Sequence, residues 1–164
     1  MSVELEYDHE PGCGVCNQLR DAASRGRVLF ENELWHVRAT GAPTAVPGWV
    51  MLLTRRHVPG PAQFNEREAR SFGPTLSHLQ RVLLEVTGAL RIYTAAMGES
   101  SPHFHAHSVP RYALMPKGAK AWAVFDLQRA AAAGEIEVDE AEAERVSAAL
   151  ARALRASPPP LEPK

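Results

Sequence analysis

The sequence predicts a single-domain α+β protein built on an antiparallel sheet. Candidate strands come in two groups separated by one long amphipathic helix, and the links between consecutive strands are short. The chain has 164 residues, of which 45% are hydrophobic, and this suits one compact domain. We expect residues 1–116 to form the main domain, residues 117–156 a helical extension packed on it, and residues 157–164 a disordered tail.

The first group of strands begins with a hairpin. The stretches RVLFEN (27–32) and ELWHVRAT (33–40) are rich in β-forming residues, and Asn32 between them is a good turn residue. The run WVMLLT (49–54) is continuously apolar, which indicates a buried strand. Ahead of the hairpin, CGVCNQLRDAAS (13–24) can form a short helical turn.

The long helix is predicted over residues 65–87. Asn65 and Glu68 make a capping-box pattern, and Gly88 is a natural helix stop. Apolar residues recur at spacings of three and four, which gives the segment one apolar face. Pro74 lies inside this pattern and favours either a kink or a short preceding helix.

Two strands are predicted after the helix. They are LRIYTAAM (90–97) and HFHAHSV (103–109), and Pro110 is expected to end the second. From residue 117 the pattern weakens until a late helix at 139–154, which begins with the potential caps Asp139 and Glu142. The last residues, ending in SPPPLEPK, have the composition of a disordered tail.

Composition and charge exclude several classes of protein. The formal net charge is −1, so no basic surface for nucleic acid is indicated. No apolar run approaches the ~20 residues that span a membrane, and the acidic N-terminus lacks the apolar core of a signal peptide. We therefore expect a cytoplasmic protein that binds neither nucleic acid nor membrane.

Three of the seven histidines fall within residues 103–107. On a strand, alternate side chains share a face, so His103, His105 and His107 would form a row there. The outer two would lie ~13 Å apart, too far to share a zinc ion that holds nitrogen at ~2.0–2.1 Å. Imidazole serves as nucleophile, base or anion donor, so an extended phosphate chain suits such a row. The alternative is a solvated polar strand face.

The chain has two cysteines, Cys13 and Cys16, in one C-x-x-C motif. In a reducing compartment this spacing favours metal or redox chemistry over a structural disulfide. A redox motif of this kind should follow a strand, and the residues before Cys13 are poor strand formers. A zinc site of two thiolates and two imidazoles is therefore favoured, while free thiols and a redox pair stay open.

These motifs together resemble one known family. The stretch HFHAHSV resembles the signature of the histidine triad family of nucleotide hydrolases and transferases. VLFENELWHVRA is similar to the opening hairpin of that family, and VPGWVMLLTRRHV to the strand that follows it. The resemblance covers roughly residues 13–112, and it implies a five-stranded antiparallel sheet and a homodimer.

The resemblance also implies roles for individual residues. His105 would attack the α-phosphorus of a nucleotide phosphoanhydride or phosphoramidate, such as diadenosine tetraphosphate or an adenosine phosphoramidate. Water would then hydrolyse the nucleotidyl-histidine, and His107 would contact the phosphate oxygens and help the leaving group depart. The zinc-bearing branch of the family has ligands at positions that correspond to Cys13, Cys16, His57 and His103, where the metal would be structural.

The sequence departs from the family pattern in the residues that hold substrate. The stretch YTAAMGESSP (93–102) lacks the usual amide side chains, so Ser100 and Ser101 become candidate hydroxyl donors to phosphate. Asn32 is a candidate ribose contact, and Ser108 stands where the signature prefers an apolar residue. The alternative function is therefore a catalytically weak, zinc-stabilised nucleotide-binding module.

Overall fold

The computed structural model describes residues 9–21 and 26–161. The elements in chain order are α1 (Gly14–Arg20), β1 (Val28–Glu31), β2 (Trp35–Ala39), β3 (Val50–Thr54), α2 (Glu66–Thr87), β4 (Arg91–Ala95), β5 (His105–Arg111), α3 (Ala123–Ala132) and α4 (Glu140–Ala156). Single 3-10 turns cover Pro61–Gln63 and Lys117–Ala119.

The five strands form one antiparallel sheet in the order β1-β2-β3-β5-β4, which confirms the predicted α+β fold. Asn32 closes the first hairpin as predicted, because its side-chain oxygen accepts hydrogen bonds from the backbone N–H groups of Leu34 and Trp35 at 3.0 and 2.8 Å. Strands β1 and β4 are the two edges of the sheet.

The register of the sheet separates its two faces. Leu53 lies opposite both His36 and His105, while Met51 lies opposite both Arg38 and His107. Directly opposed residues share a face, so these side chains belong to one surface, which we call the histidine face. The main core lies on the other face, where α2 and α4 cover the sheet.

Helix α2 runs without interruption through Pro74, so the alternative of a short preceding helix is wrong. Its predicted capping box is present: the side chain of Asn65 accepts from the backbone of Glu68, and Glu68 accepts from the backbone of Asn65. Glu68 is buried and also pairs with Arg56 at 2.7 Å. Gly88 ends the helix in the left-handed conformation, with φ of +64°.

Strand β5 differs from its prediction at both ends. It begins at His105 rather than at residue 103, and it continues through Pro110 to Arg111. The pairing with β3 ends at Ser108, while the pairing with β4 continues to Arg111. At Pro110 only β4 still pairs with β5, so a backbone N–H directed to the β3 side would have no strand to donate to. Proline, which lacks this N–H, is therefore tolerated there.

Helix α3 is absent from the sequence prediction. It packs on the histidine face through a second apolar cluster that contains Trp49, Val109, Val124 and Phe125. The helix has only ten residues, AVFDLQRAAA, and its last three are alanines, so few large apolar side chains mark it in the sequence. Among the described residues, no helix has the combination of length and hydropathy that crossing a membrane requires.

The segment after α4 is only partly as predicted. Residues 158–160 have no regular secondary structure, but Pro159 is buried and Leu161 packs against the main core. The remainder of the predicted disordered tail, residues 162–164, lies outside the described residues. The late helix itself extends over Glu140–Ala156, slightly beyond its predicted end, with Asp139 capping the backbone of Glu142 as expected.

Candidate active site and metal centre

His105 is held in one tautomer by the backbone. Its Nδ1 lies 2.7 Å from the carbonyl oxygen of His103. A carbonyl only accepts hydrogen bonds, so Nδ1 carries the ring proton and Nε2 keeps a free lone pair. The side chain is half-buried at one wall of a cavity of about 240 Å³ that is also lined by Gly60, Met97 and Gly98. The free nitrogen is therefore suited to act as a nucleophile.

His107 sits next to His105 on the histidine face, with ring centroids 5.3 Å apart. The indole N–H of Trp49 donates to Nδ1 of His107 at 3.0 Å, which leaves the ring proton on Nε2. Phe125 from α3 contacts the same imidazole edge to face at 5.2 Å. Burial, followed by the neighbouring charge of His105, lowers the pKa of His107 to about 4. At neutral pH this histidine is an uncharged donor.

Four side chains from three parts of the chain converge near the start of β5. Cys13, Cys16, His57 and His103 each bring a ligand atom into a cluster whose atoms lie within 4.8 Å of one another. Cys16 Sγ lies 3.3 Å from Nδ1 of both His57 and His103, and Cys13 Sγ lies 4.0 Å from Nδ1 of His103. The two cysteines do not form a disulfide bond with each other.

This cluster has the chemistry and spacing of a zinc site. A tetrahedron with bonds of about 2.0–2.3 Å separates its ligand atoms by roughly 3.3–3.8 Å, close to the distances observed. Nε2 of His103 donates to the carbonyl of Thr54 at 2.7 Å, which leaves Nδ1 free to face the thiols. Burial lowers the pKa of His103 and favours the neutral imidazole that a metal requires.

The local fold of α1 brings the two cysteines together. Cys13 is the N-cap of this helix, and its sulfur accepts from the backbone N–H of Cys16 at 3.5 Å. The helix begins directly after Cys13, so both thiols lie on its first turn and are buried. His103 is buried with them. It precedes the first residue of β5 and turns its ring toward Cys16, so it does not belong to the row of histidines that the sequence predicted.

Three further residues, Ser100, Ser101 and Asn32, were predicted to contact the substrate. The hydroxyl of Ser101 lies 3.7 Å from Cys13 Sγ, so it faces the cysteine cluster. Ser100 is exposed in the loop between β4 and β5. Asn32 uses its side-chain oxygen to close the β1–β2 hairpin, and its amide nitrogen is buried without a partner among the described residues.

Two residues at this site were not predicted from the sequence. Trp49 directly follows Pro47 and Gly48 and lies just before β3, and nothing in a lone tryptophan there indicates a histidine partner. Phe125 belongs to the unpredicted helix α3. The alternation of β5 indicated which face His107 occupies. Its partners Trp49 and Phe125 come from distant segments, which only the tertiary fold brings next to it.

Comparison with solved structures finds several histidine triad proteins of similar fold. A histidine triad protein from Bradyrhizobium japonicum is 19% identical with a TM-score of 0.60, covering 80% of this chain and 94% of its own. One from Marinobacter aquaeolei is 22% identical with a TM-score of 0.60, covering 79% and 88%. A zinc-bound histidine triad family protein from Mycobacterium smegmatis is 18% identical with a TM-score of 0.52, covering 79% and 87%.

The chain thus has the fold of histidine triad proteins, as its motifs indicated. Sequence comparison adds nothing to this, since no family model and no curated protein matches the chain.

Proposed function

We propose that the chain is a nucleotide phosphoanhydride or phosphoramidate hydrolase, or a nucleotidyl transferase, that acts through a nucleotidyl-His105 intermediate. The observation that carries this proposal is the hydrogen bond between Nδ1 of His105 and the carbonyl of His103, at 2.7 Å. Because this hydrogen bond keeps the proton on Nδ1, Nε2 has a free lone pair and need not lose a proton before it attacks. A histidine that acts as a nucleophile requires such a lone pair.

The chemistry proceeds in two displacements. The Nε2 lone pair of His105 forms a bond to the α-phosphorus, while the bond to the leaving group breaks and its electron pair departs with that group. The amine of a phosphoramidate also takes up a proton from solvent, so that it departs as a neutral amine. A water oxygen then attacks the same phosphorus and releases one proton to solvent, and the N–P electron pair returns to Nε2 of His105. In both steps Nδ1–H stays on its carbonyl acceptor, which stabilises the positive charge on the phosphorylated ring.

His107 supports both displacements as a hydrogen-bond donor. Its proton is on Nε2, since Nδ1 accepts from Trp49, and Nε2–H can donate to a phosphate oxygen or to the leaving atom. A neutral imidazole with one proton does not act as a strong acid. The proposed substrates that leave as anions, such as a nucleotide from a dinucleoside polyphosphate, need no proton from it.

The four-residue cluster would hold a structural zinc ion. The ion would tie α1 to the start of β5 through Cys13, Cys16, His57 and His103, and so fix the backbone carbonyl of His103 that orients His105. Within this proposal residues 1–116 form the catalytic part and residues 117–156 an extension, and the protein is a cytoplasmic homodimer.

One observation favours the alternative function, a catalytically weak nucleotide-binding module stabilised by zinc. The stretch before His103 lacks amide side chains, and the hydroxyl of Ser101 faces Cys13 rather than the cavity beside His105. A phosphate bound at His105 would then have few side-chain donors besides His107.

Intact-protein mass spectrometry separates the two functions. The protein is mixed briefly with an adenylyl donor and quenched without acid, because a phosphorus–nitrogen bond is acid-labile. We expect an adenylyl adduct on the wild type and none on His105→Ala. The matched control is His78→Ala, a histidine of α2 on the other side of the sheet, which should keep the adduct. Nucleotide binding without adduct or turnover would instead support the binding module.

A further inference from the structure

The guanidinium of Arg38 is buried on the histidine face without a counter-charge. The side chain is only 4% exposed. Nη1 donates to the side-chain oxygen of Gln18 at 2.8 Å, which is the one hydrogen bond that the guanidinium makes to a described residue, and Nε is buried without a partner there. No carboxylate of the described residues forms an ion pair with Arg38. A buried charge is normally paired, because the loss of its hydration is costly.

The charged groups around Arg38 do not compensate it. Arg27 is exposed just before β1, and a Cβ at Gly41 would lie 2.9 Å from Nη1 of Arg27, so this second guanidinium lies against the loop that follows β2. Burial, followed by the positive charge of Arg27, lowers the pKa of Arg38. The carboxylate of Glu31 on β1 is already engaged in an ion pair with Arg55 at 3.2 Å. The surroundings of Arg38 therefore carry an excess of positive charge.

The donors of Arg38 that have no partner match an oxyanion. Nε–H and one N–H of Nη2 form an edge of the guanidinium whose two parallel N–H groups fit two oxygens of a phosphate. The remaining donor, on Nη1, is covered by Gln18, whose side chain is exposed on the last turn of α1. A glutamine oxygen is a neutral acceptor, and an exposed side chain changes rotamer within nanoseconds.

Arg38 lies in line with His107 across the sheet. Met51 of β3 lies directly opposite both residues, and two strand spacings of ~4.8 Å put the Cα atoms of Arg38 and His107 ~10 Å apart. Met51, between them, is half-buried, so this part of the histidine face is not fully covered. The row therefore has a histidine at one end and an uncompensated guanidinium at the other.

We propose that Arg38 binds a phosphate group distinct from the one that reacts at His105, with Arg27 adding positive charge. The anion displaces the exposed side chain of Gln18 and pairs with the free edge of the Arg38 guanidinium through two hydrogen bonds. This phosphate is either a second one on the bound nucleotide or free inorganic phosphate. The site does not depend on the proposed function, since an anion binds here whether or not His105 reacts.

Calorimetric titration of the full-length protein with inorganic phosphate, at constant ionic strength, tests the site. Arg38→Met keeps an unbranched side chain and removes the charge, and it should weaken phosphate binding at least about tenfold, as expected for the loss of a charge-assisted pair. His105→Ala should keep the binding. The matched control is Arg152→Met, which removes an exposed arginine of α4 on the other side of the sheet and should also keep it.

Thermal unfolding gives a second measurement. Removing a buried charge that has no counter-ion relieves the fold, so without phosphate the unfolding midpoint of Arg38→Met should be at least as high as that of the wild type. Added phosphate should raise the midpoint of the wild type and leave that of Arg38→Met unchanged. A lower midpoint of Arg38→Met without phosphate would mean that the fold itself satisfies the guanidinium, and the site would be overturned.

Nucleotides identify the source of the phosphate. If the nucleotide carries it, adenosine 3′,5′- or 2′,5′-bisphosphate should bind the wild type at least about tenfold more tightly than AMP, and Arg38→Met should abolish this difference. If it is free phosphate, AMP should bind both proteins equally, and phosphate should bind the wild type with or without AMP.

The site and the proposed function fail separately. Equal binding of inorganic phosphate to the wild type and to Arg38→Met would overturn the site, and it would leave the adenylyl adduct on His105 unaffected. A wild type that forms no adduct, but binds phosphate through Arg38, would refute the proposed function and support the site.

Discussion

The indole nitrogen of Trp49 lies 3.0 Å from Nδ1 of His107, and this contact determines the tautomer of the neutral histidine. An indole N–H only donates, so Nδ1 must be the acceptor and unprotonated. Protonating it would bring two N–H groups together in a buried setting that also contains Phe125. The ring of His105 also contacts His107, and a positive charge on His105 would further oppose protonation of His107.

Replacing Trp49 by Phe removes this donor and keeps an aromatic ring. We expect the pKa of His107, which is about 4 in the wild type, to rise because the neutral form loses a hydrogen bond that the charged form cannot make. The His107 ring resonances in an NMR pH titration measure the midpoint. Trp122→Phe, a tryptophan outside this contact, serves as the control. An unchanged midpoint in Trp49→Phe would contradict this account of the site.

The parts of the fold that were predicted are those specified by neighbouring residues. Asn32 closes its hairpin through bonds to residues two and three positions ahead, and the capping box of α2 joins Asn65 to Glu68. Such contacts are visible in sequence because a single turn of chain contains both partners. The alternation within β5 likewise gave the common face of His105 and His107.

The parts that were not predicted depend on contacts between distant segments. Pro110 remains in β5 because β3 no longer pairs at that position, and the length of β3 is not encoded near Pro110. Helix α3 has only ten residues, and it packs Val124 against the histidine face, a contact with segments far away in sequence. Strand alternation alone put His103 in a row with His105 and His107, but its ring turns to Cys16 and the Thr54 carbonyl, both far away in sequence. The family resemblance, and not the local pattern, implied that His103 and Cys16 belong together.

Zinc removal should destabilise the protein, since the cluster joins α1 to β5 through otherwise separate segments. We expect one zinc per chain in elemental analysis, and a fall of at least ~6 °C in the midpoint of thermal unfolding after chelation, as a loss of ~3 kcal/mol would produce. Cys16→Ser should lose the metal. Ser101→Ala, which changes only a neighbour of Cys13, should retain it. A protein purified without metal, with a midpoint that chelators leave unchanged, would refute the zinc assignment.

Two buried serines should respond oppositely to alanine. The hydroxyl of Ser108 is buried without a hydrogen-bond partner among the described residues, so Ser108→Ala should raise the free energy of unfolding by about 1 kcal/mol. The hydroxyl of Ser71 accepts from Trp35 at 2.9 Å and donates to the carbonyl of Arg67 at 2.7 Å. Ser71→Ala should lower the same quantity by about 1–3 kcal/mol. Urea denaturation of both variants tests the pair, and a destabilised Ser108→Ala would mean that its hydroxyl is satisfied.

Acid should weaken the folded state through His107. The pKa of His107 is lowered from 6.5 to about 4 by folding, so between these values the unfolded chain binds more protons than the folded one. Stability from this residue is fully present above pH 6.5 and is lost as the pH falls toward 4, with a slope of up to about 1.4 kcal/mol per pH unit. Denaturation curves of the wild type and His107→Gln across this range give the contribution of this histidine as their difference. If that difference is constant with pH, His107 is protonated equally in both states, and burial does not lower its pKa.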